Sequence, residues 1–193
     1  MEFAYSALEK VIFNEASTEV LPRLLRGLSY KRPFMVASRT LAEKTGDLSV
    51  LRQALPVEVV GFNKAIRSHT PREDALELLD QVRESGADVI ISVGGGSVID
   101  AGKFVQLAIA QGLKHESEIL EYSQQANGSR GPKHGDFRLF SSTDKIRQLA
   151  IPTTLSGAEF SNSAGVLNSS SGSKEGYRAS ALPSGNCLRS GIG

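Results

Sequence analysis

The sequence predicts an α/β domain with a mostly parallel sheet covered by flanking helices, and three observations carry that prediction. Helical and strand-like patterns alternate from residue 17 onward. The segment Asp88-Val-Ile-Ile-Ser-Val93 is apolar without alternation, as a strand buried on both faces must be. Helix-length segments separate successive strands, which requires right-handed crossovers and therefore parallel pairing.

The elements follow in order. Ser17 and Thr18 are placed to cap a helix whose apolar stripe is Leu21, Leu24, Leu25 and Leu28, with Pro22 tolerated in or near its first turn. Pro33 opens a buried strand, Phe34-Met35-Val36-Ala37, and residues 38–55 read as helical material broken near Gly46 and Asp47. Val57 to Phe62 reads as the second strand. Thr70-Pro71-Arg72-Glu73 combines a capping box with proline at the first helical position, the stripe Ala75, Leu78, Leu79, Val82 faces inward, and Gly86 stops the helix. After Gly94-Gly95-Gly96 another helix runs from about Val98 to Gln111 and stops at Gly112. Residues 113–147 lose the period and read as a surface insertion, with one helical turn around Glu118 to Tyr122 and a turn-rich stretch over Asn127 to Pro132. Gln148 to Ile151 is a return strand ending at Pro152. Residues 183–193 read as an irregular tail, too poor in periodic apolar residues to close a domain.

Composition excludes several classes. Lys and Arg number 22 against 21 Asp and Glu, a net charge of +1, which leaves no electrostatic footprint for nucleic acid. The longest apolar run, around Val89 to Val93, is far short of a membrane span, and the N-terminus lacks a basic stretch followed by an apolar one, so a cytoplasmic location is expected. The single Cys187 excludes an internal disulfide and multi-cysteine zinc sites. His69, His115 and His134 contain no i, i+4 pair, so any metal site made by this chain alone is expected to be poor.

The strand that runs into Gly94-Gly95-Gly96-Ser97 and then a helix is the central signal. Glycines there let a phosphate approach the main chain, and free N–H groups with the positive end of the helix dipole favour an anion. The competing reading is a tight turn with Ser97 as cap and Asp100 completing a capping box. The spacing is neither G-x-G-x-x-G, because Ile99 holds the third glycine position, nor a Walker loop, because Phe104 follows Lys103.

Val93 to Lys103, VGGGSVIDAGK, resembles the signature of the iron-containing (group III) alcohol dehydrogenases, and Ile151 to Ser161, IPTTLSGAEFS, resembles that family's second hallmark. The context is closer to these and to maleylacetate reductases than to dehydroquinate synthase or glycerol dehydrogenase. The resemblance spans about residues 10–178 and implies a Rossmann-like, dehydroquinate synthase-like N-terminal domain that faces a helical, metal-holding domain. It implies that Gly95, Gly96 and Ser97 hold the pyrophosphate of NADPH or NADH, that Gly94 belongs to the same cofactor-binding turn, and that Thr153 and Thr154 line the cofactor cleft. Asp100 and Lys103 would support that cleft from the helix, and Lys174 matches a lysine near the cofactor.

Departures from the family carry expectations too. Many members have an aspartate where Ser38 stands, and Arg39 follows it, which removes a charge that repels a 2′-phosphate and adds one that attracts it. Gly102 replaces a common alanine, at a cost of about 1 kcal/mol in helix propensity. The family's metal ligands begin shortly after the sequence enters residues 183–193, so Fe²⁺ or Zn²⁺ is expected only in a complete two-domain enzyme. Residues 1–182 are expected to form the NAD(P)-binding half of an oxidoreductase acting on a small alcohol, aldehyde or keto compound, with little turnover alone and a tendency to self-associate. Two alternatives stand beside it: a non-catalytic dinucleotide-binding or interaction fragment, supported if residues 160–182 expose apolar surface, and a dehydroquinate synthase-like lyase.

Overall fold

The computed structural model describes residues 10–125, 128–133 and 146–178, together with the backbone of 187–189. Among these the chain runs β1 (Val11–Phe13), α1 (Ser17–Gly27), β2 (Pro33–Ala37), α2 (Arg39–Lys44), α3 (Asp47–Ala54), β3 (Gly61–Asn63), α4 (Arg72–Ser85), β4 (Val89–Gly94), α5 (Gly96–Ala110), α6 (Glu116–Leu120), β5 (Ser123–Gln124), β6 (Arg147–Pro152), β7 (Ser163–Asn168), β8 (Ser173–Arg178) and β9 (Cys187–Arg189). The main sheet has the order β1-β9-β6-β4-β2-β3 and is parallel throughout. A second, antiparallel sheet has the order β5-β8-β7.

The strands are apolar on both faces because both faces are covered. Phe34, Val36 and Ile90 pack with Ala75, Leu78, Leu79 and Val82 of α4 and Phe104 and Val105 of α5. Met35, Ala37, Val89, Ile91 and Val93 point the other way, toward Leu21 and Leu25 of α1 and Leu48 and Leu51 of α3. Helix α5 is itself covered twice, by the main sheet and by the β7–β8 hairpin, whose Ala164, Val166 and Tyr177 are buried in the same cluster. Phe104 meets the Tyr177 ring edge-on, with centroids 5.1 Å apart. That double burial explains why the residues of α5 are apolar nearly all round.

Several sequence expectations are corrected. Helix α1 starts after Ala16 with no side-chain cap, and Pro22 falls in its second turn, so its missing N–H leaves the Thr18 carbonyl without the usual intrahelical donor. The second strand is Gly61–Asn63 and not Val57–Phe62, since Val57 and Val59 pack against the α1–α3 side as part of the connection. The capping box at α4 is absent: Thr70 sits at φ +54° and donates its hydroxyl to the Ser97 carbonyl, while Glu73 accepts from Arg67 and Ser169. Gly86 does end α4, in the left-handed conformation at φ +60°.

The segment beginning at residue 113 is only partly a surface insertion. Leu113, Ile119 and Tyr122 are buried in the core, and β5 extends the hairpin sheet. Asn127, His134 and most of the remainder lie outside the described residues. The expected irregular tail contains β9, which pairs in parallel with β1 and β6 through backbone bonds that need no apolar run. Residues 183–186 and 190–193 lie outside the described residues. Within 160–178, Ala164, Val166 and Tyr177 are buried in the cluster with α5 and Phe160 and Leu167 are half-buried, so no large apolar residue there is exposed; 179–182 lie outside the described residues.

The glycine at position 102 has a local cause. Gln148, buried in β6, donates its side-chain amide to Ser92 Oγ at 2.8 Å and to the Ile99 carbonyl at 3.1 Å, and this amide fills the space where a Cβ on residue 102 would stand. The overpacking cost exceeds the propensity that alanine restores. Gly102→Ala is expected to lower unfolding free energy by about 1–3 kcal/mol in chemical denaturation, and the loss is expected to shrink in a Gln148→Ala background. A stabilised single variant contradicts this packing account.

Candidate functional site

The strands β2, β4 and β6 are neighbours, and their carboxyl ends release Ser38, Gly95 and Thr153 along one edge. The chain passes from β3 back over β2 to β4, so the crevice between β2 and β4 is a topological switch point, where open α/β sheets bind ligands. A cleft of about 830 Å³ opens there. Ser38, Gly95, Gly96, Ser97, Thr153 and Thr154 line it, over an apolar floor that includes Leu41, Leu48, Leu51, Ile66 and Ile151.

Local bonds hold each wall. The Ser38 N–H donates to the Val93 carbonyl at 3.3 Å, joining the ends of β2 and β4, and Ser38 Oγ caps α2 by accepting from the Leu41 N–H at 3.4 Å. The Thr153 N–H donates to the Gly94 carbonyl at 3.0 Å. The glycine triplet adopts no left-handed conformation. It is needed for close approach: a Cβ on Gly94 would stand 2.8 Å from Val98, one on Gly95 would stand 3.1 Å from Thr154, and one on Gly96 would stand 3.1 Å from Ser156.

Gly95 is the N-cap of α5, and its carbonyl accepts from the Val98 and Ile99 N–H groups. The preceding N–H groups of Gly96 and Ser97 therefore lie at the helix start, where no intrahelical acceptor exists, and the dipole adds positive potential. Ser97 is not the cap that the competing reading assigned. Its Oγ accepts the His69 N–H at 2.9 Å, and it keeps its own hydroxyl proton to donate. His69 and Thr70 both have positive φ, 66° and 54°, so the loop that meets Ser97 is strained and held by these bonds.

A second hollow of about 600 Å³ lies across Gly96 and Ser97 and is lined by His69, Asp100, Ser156, Gly157, Ser161, Gly165 and Lys174. Asp100 is not the acid of a capping box: Oδ1 is 2.8 Å from the Lys103 ammonium, and Oδ2 accepts the Gly165 N–H at 3.0 Å. Lys103 lines neither hollow. It is 2% exposed and donates to the carbonyls of Ala158 and Ser163 and to Ser161 Oγ, so it anchors the 158–163 segment to α5. Arg39 is exposed and lines neither hollow. Gly94 is buried as the last residue of β4. Thr40, Ser68, Ser156 and Gly165 line the two hollows although the sequence singled out none of them. Only the approach of three separate loops reveals them. Among the described residues no group of three or more His, Cys, Asp or Glu side chains converges in a way that could hold a metal ion. No described helix is long and apolar enough to cross a membrane.

Burial pushes the Lys103 ammonium below its ordinary pKa of 10.5, against the opposing pull of Asp100. Between that lowered value and 10.5 the unfolded chain binds more protons than the folded one, so stability rises with pH across the window. Lys103→Met is expected to abolish this rise, read by denaturation of both proteins at stepped pH up to 10.5, with tyrosine ionisation common to the two and cancelling in the comparison. The 158–163 amides of the variant are also expected to exchange hydrogen faster. Equal pH slopes in both proteins contradict the assignment.

A model of the iron-containing alcohol dehydrogenase family matches residues 9–184. The dehydrogenase FUM7 of Gibberella moniliformis is 35% identical over 154 residues, covering 78% of this chain and 35% of that protein. Among solved structures, sulfoacetaldehyde reductase from Bifidobacterium kashiwanohense in complex with NAD+ superposes with a TM-score of 0.75 at 17% identity, over 97% of this chain and 46% of that one. The iron-containing alcohol dehydrogenase of Thermococcus thioreducens also gives 0.75, at 22% identity, over 94% of this chain and 45% of that one. The chain thus spans less than half the length of these relatives, and the two structures share its fold. With its glycine turn, its cleft and its family match in agreement, the chain belongs to the iron-containing alcohol dehydrogenases.

Proposed function

We propose that residues 1–182 form the nucleotide-binding part of an oxidoreductase that moves hydride between NAD(P)H and a small alcohol, aldehyde or keto compound. The observation that supports this most is the α5 N-terminus, whose Gly96 and Ser97 open onto both a cleft with an apolar floor and a polar second hollow. Such a ligand is apolar at its adenine, anionic at its pyrophosphate and polar at its reactive end. Leu41, Leu48 and Ile66 would receive the adenosine, the Gly96 and Ser97 N–H groups the pyrophosphate, and Asp100 and Lys174 would face the nicotinamide end. The cofactor supplies the hydride. These residues bind and orient it, while the strained 67–70 loop and the Lys103 anchor keep the two hollows aligned. Because the described residues do not fit a metal ion, no step through iron or zinc is assigned to them.

The cofactor preference rests on Ser38, which lines the cleft at the end of β2 without a charge. With no carboxylate there, NADPH is expected to bind at least as tightly as NADH. Titrating each reduced cofactor while following nicotinamide fluorescence tests this cleanly, since the chain has no tryptophan. A saturable rise is expected. Ser38→Asp retains a capping oxygen for α2 but places a negative charge beside the 2′-phosphate, and it is expected to shift preference toward NADH about tenfold, or about 1.4 kcal/mol. No response to either cofactor would overturn the proposal in favour of an interaction module.

A further inference from the structure

We propose that Gly165 is a positioning residue, whose missing side chain makes the passage through which Lys174 delivers its ammonium to the second hollow. On the β7–β8 hairpin Lys174 pairs with Leu167, and Gly165 is the diagonal neighbour on the same face, two residues along. The lysine stem lies across this bare position: a Cβ on Gly165 would overlap Lys174 Cε and stand 2.9 Å from Nζ and 3.4 Å from Asp100 Oδ2. Gly165 does not need its glycine for conformation, because it has no positive φ. Its own N–H is held by Asp100 Oδ2 at 3.0 Å, and Asp100 is held in turn by Lys103, so the strand cannot shift to make room. Asp100 spends its charge on Lys103, and Lys174 makes no ion pair among the described residues. Lys174 therefore brings a positive charge to a hollow that also contains the α5 N-terminus.

The consequence for cofactor binding rests on the proposed function, whereas the placement of the lysine does not, and the experiment separates them. The first arm measures acetylation rates of individual lysines by mass spectrometry in the native chain, Gly165→Ala and Gly176→Ala. Gly176 stands opposite Gly165 and is a matched control, since its added Cβ would meet nothing closer than 3.9 Å. Lys174 is already exposed in the native chain, so Gly165→Ala is expected to change its rate at least about twofold by moving the amine away from the hollow beside Asp100, with other lysines unchanged, and Gly176→Ala is expected to leave it alone. An unchanged Lys174 rate, or an equal effect of both variants, overturns the proposal. The atoms that an added Cβ meets are the far end of a flexible side chain, so Gly165→Ala is expected to melt close to the native chain as the lysine moves aside; a large loss that Lys174→Ala does not relieve also overturns it.

The second arm titrates NADPH. Gly165→Ala and Lys174→Ala are each expected to weaken binding about tenfold, with no further loss in the double variant, as for two changes that act through one ammonium. Additive losses overturn the claim that Gly165 acts through Lys174. Absence of binding by the native chain overturns the proposed function, and the acetylation arm still decides whether Gly165 directs the lysine.

Discussion

Burial of α5 on two opposite sides is the constraint on which the rest of the structure depends. A helix with one solvated face can put its polar groups in water, but α5 lies between the main sheet and the β7–β8 hairpin and has to satisfy them inside. Asp100 and Lys103 answer one another, and their remaining bonds go to Gly165 and to the 158–163 segment. An apolar pair of similar size would pack there at lower desolvation cost, so the ion pair is poor evidence for stability as such. Its effect is directional. It ties a loop, a helix and a hairpin into one arrangement and so fixes where the start of α5 points.

What the sequence made legible was what local pattern controls. The uninterrupted apolar run of β4, the spacing of the α4 stripe and the stop at Gly86 depend on periods and conformations confined to a few residues, and each is found in place. The caps that local spacing suggests at Thr70, Ser97 and Asp100 do not form, because each residue has a partner distant in sequence. Thr70 reaches Ser97, Ser97 receives His69, and Asp100 holds Gly165. The β7–β8 hairpin is hidden in the sequence for a related reason. Its strands are rich in glycine and serine, and only Ala164, Val166, Glu175 and Tyr177 alternate inward. The inward Glu175 hides that alternation, since it is buried against Arg72, Tyr177 and Asn168, whose contacts hold its carboxyl below the usual range despite burial. A turn signal did exist, because Asn168 Oδ1 accepts the N–H groups of Ser170 and Ser171.

The candidate site divides along the same line. Ser38, Gly95, Gly96, Ser97, Thr153 and Thr154 surround the cleft because they follow directly from strand ends, which the pattern of strands locates. Lys103, which the resemblance places as a support of the cleft from the helix, lines neither hollow and anchors the 158–163 segment behind the wall. The glycine triplet changed meaning as well. Glycine at these positions admits Val98, Thr154 and Ser156 to van der Waals contact with the main chain, and this packing leaves the first N–H groups of α5 facing the cleft. Space for neighbours and access for an anion are thus two results of the same missing side chains.

Charge then selects among ligands of suitable size. Asp47 also lines the cleft, so its wall does not attract anions evenly. Favourable potential is concentrated where α5 begins, between an apolar floor on one side and the hollow of Asp100 and Lys174 on the other. A simple anion would use the helix end and leave both hollows filled with water. An apolar molecule would use the floor and leave those N–H groups without an acceptor better than water. Only a ligand with its charge in the middle and less polar groups at both ends uses all three regions at once, and a dinucleotide distributes its chemistry in that order.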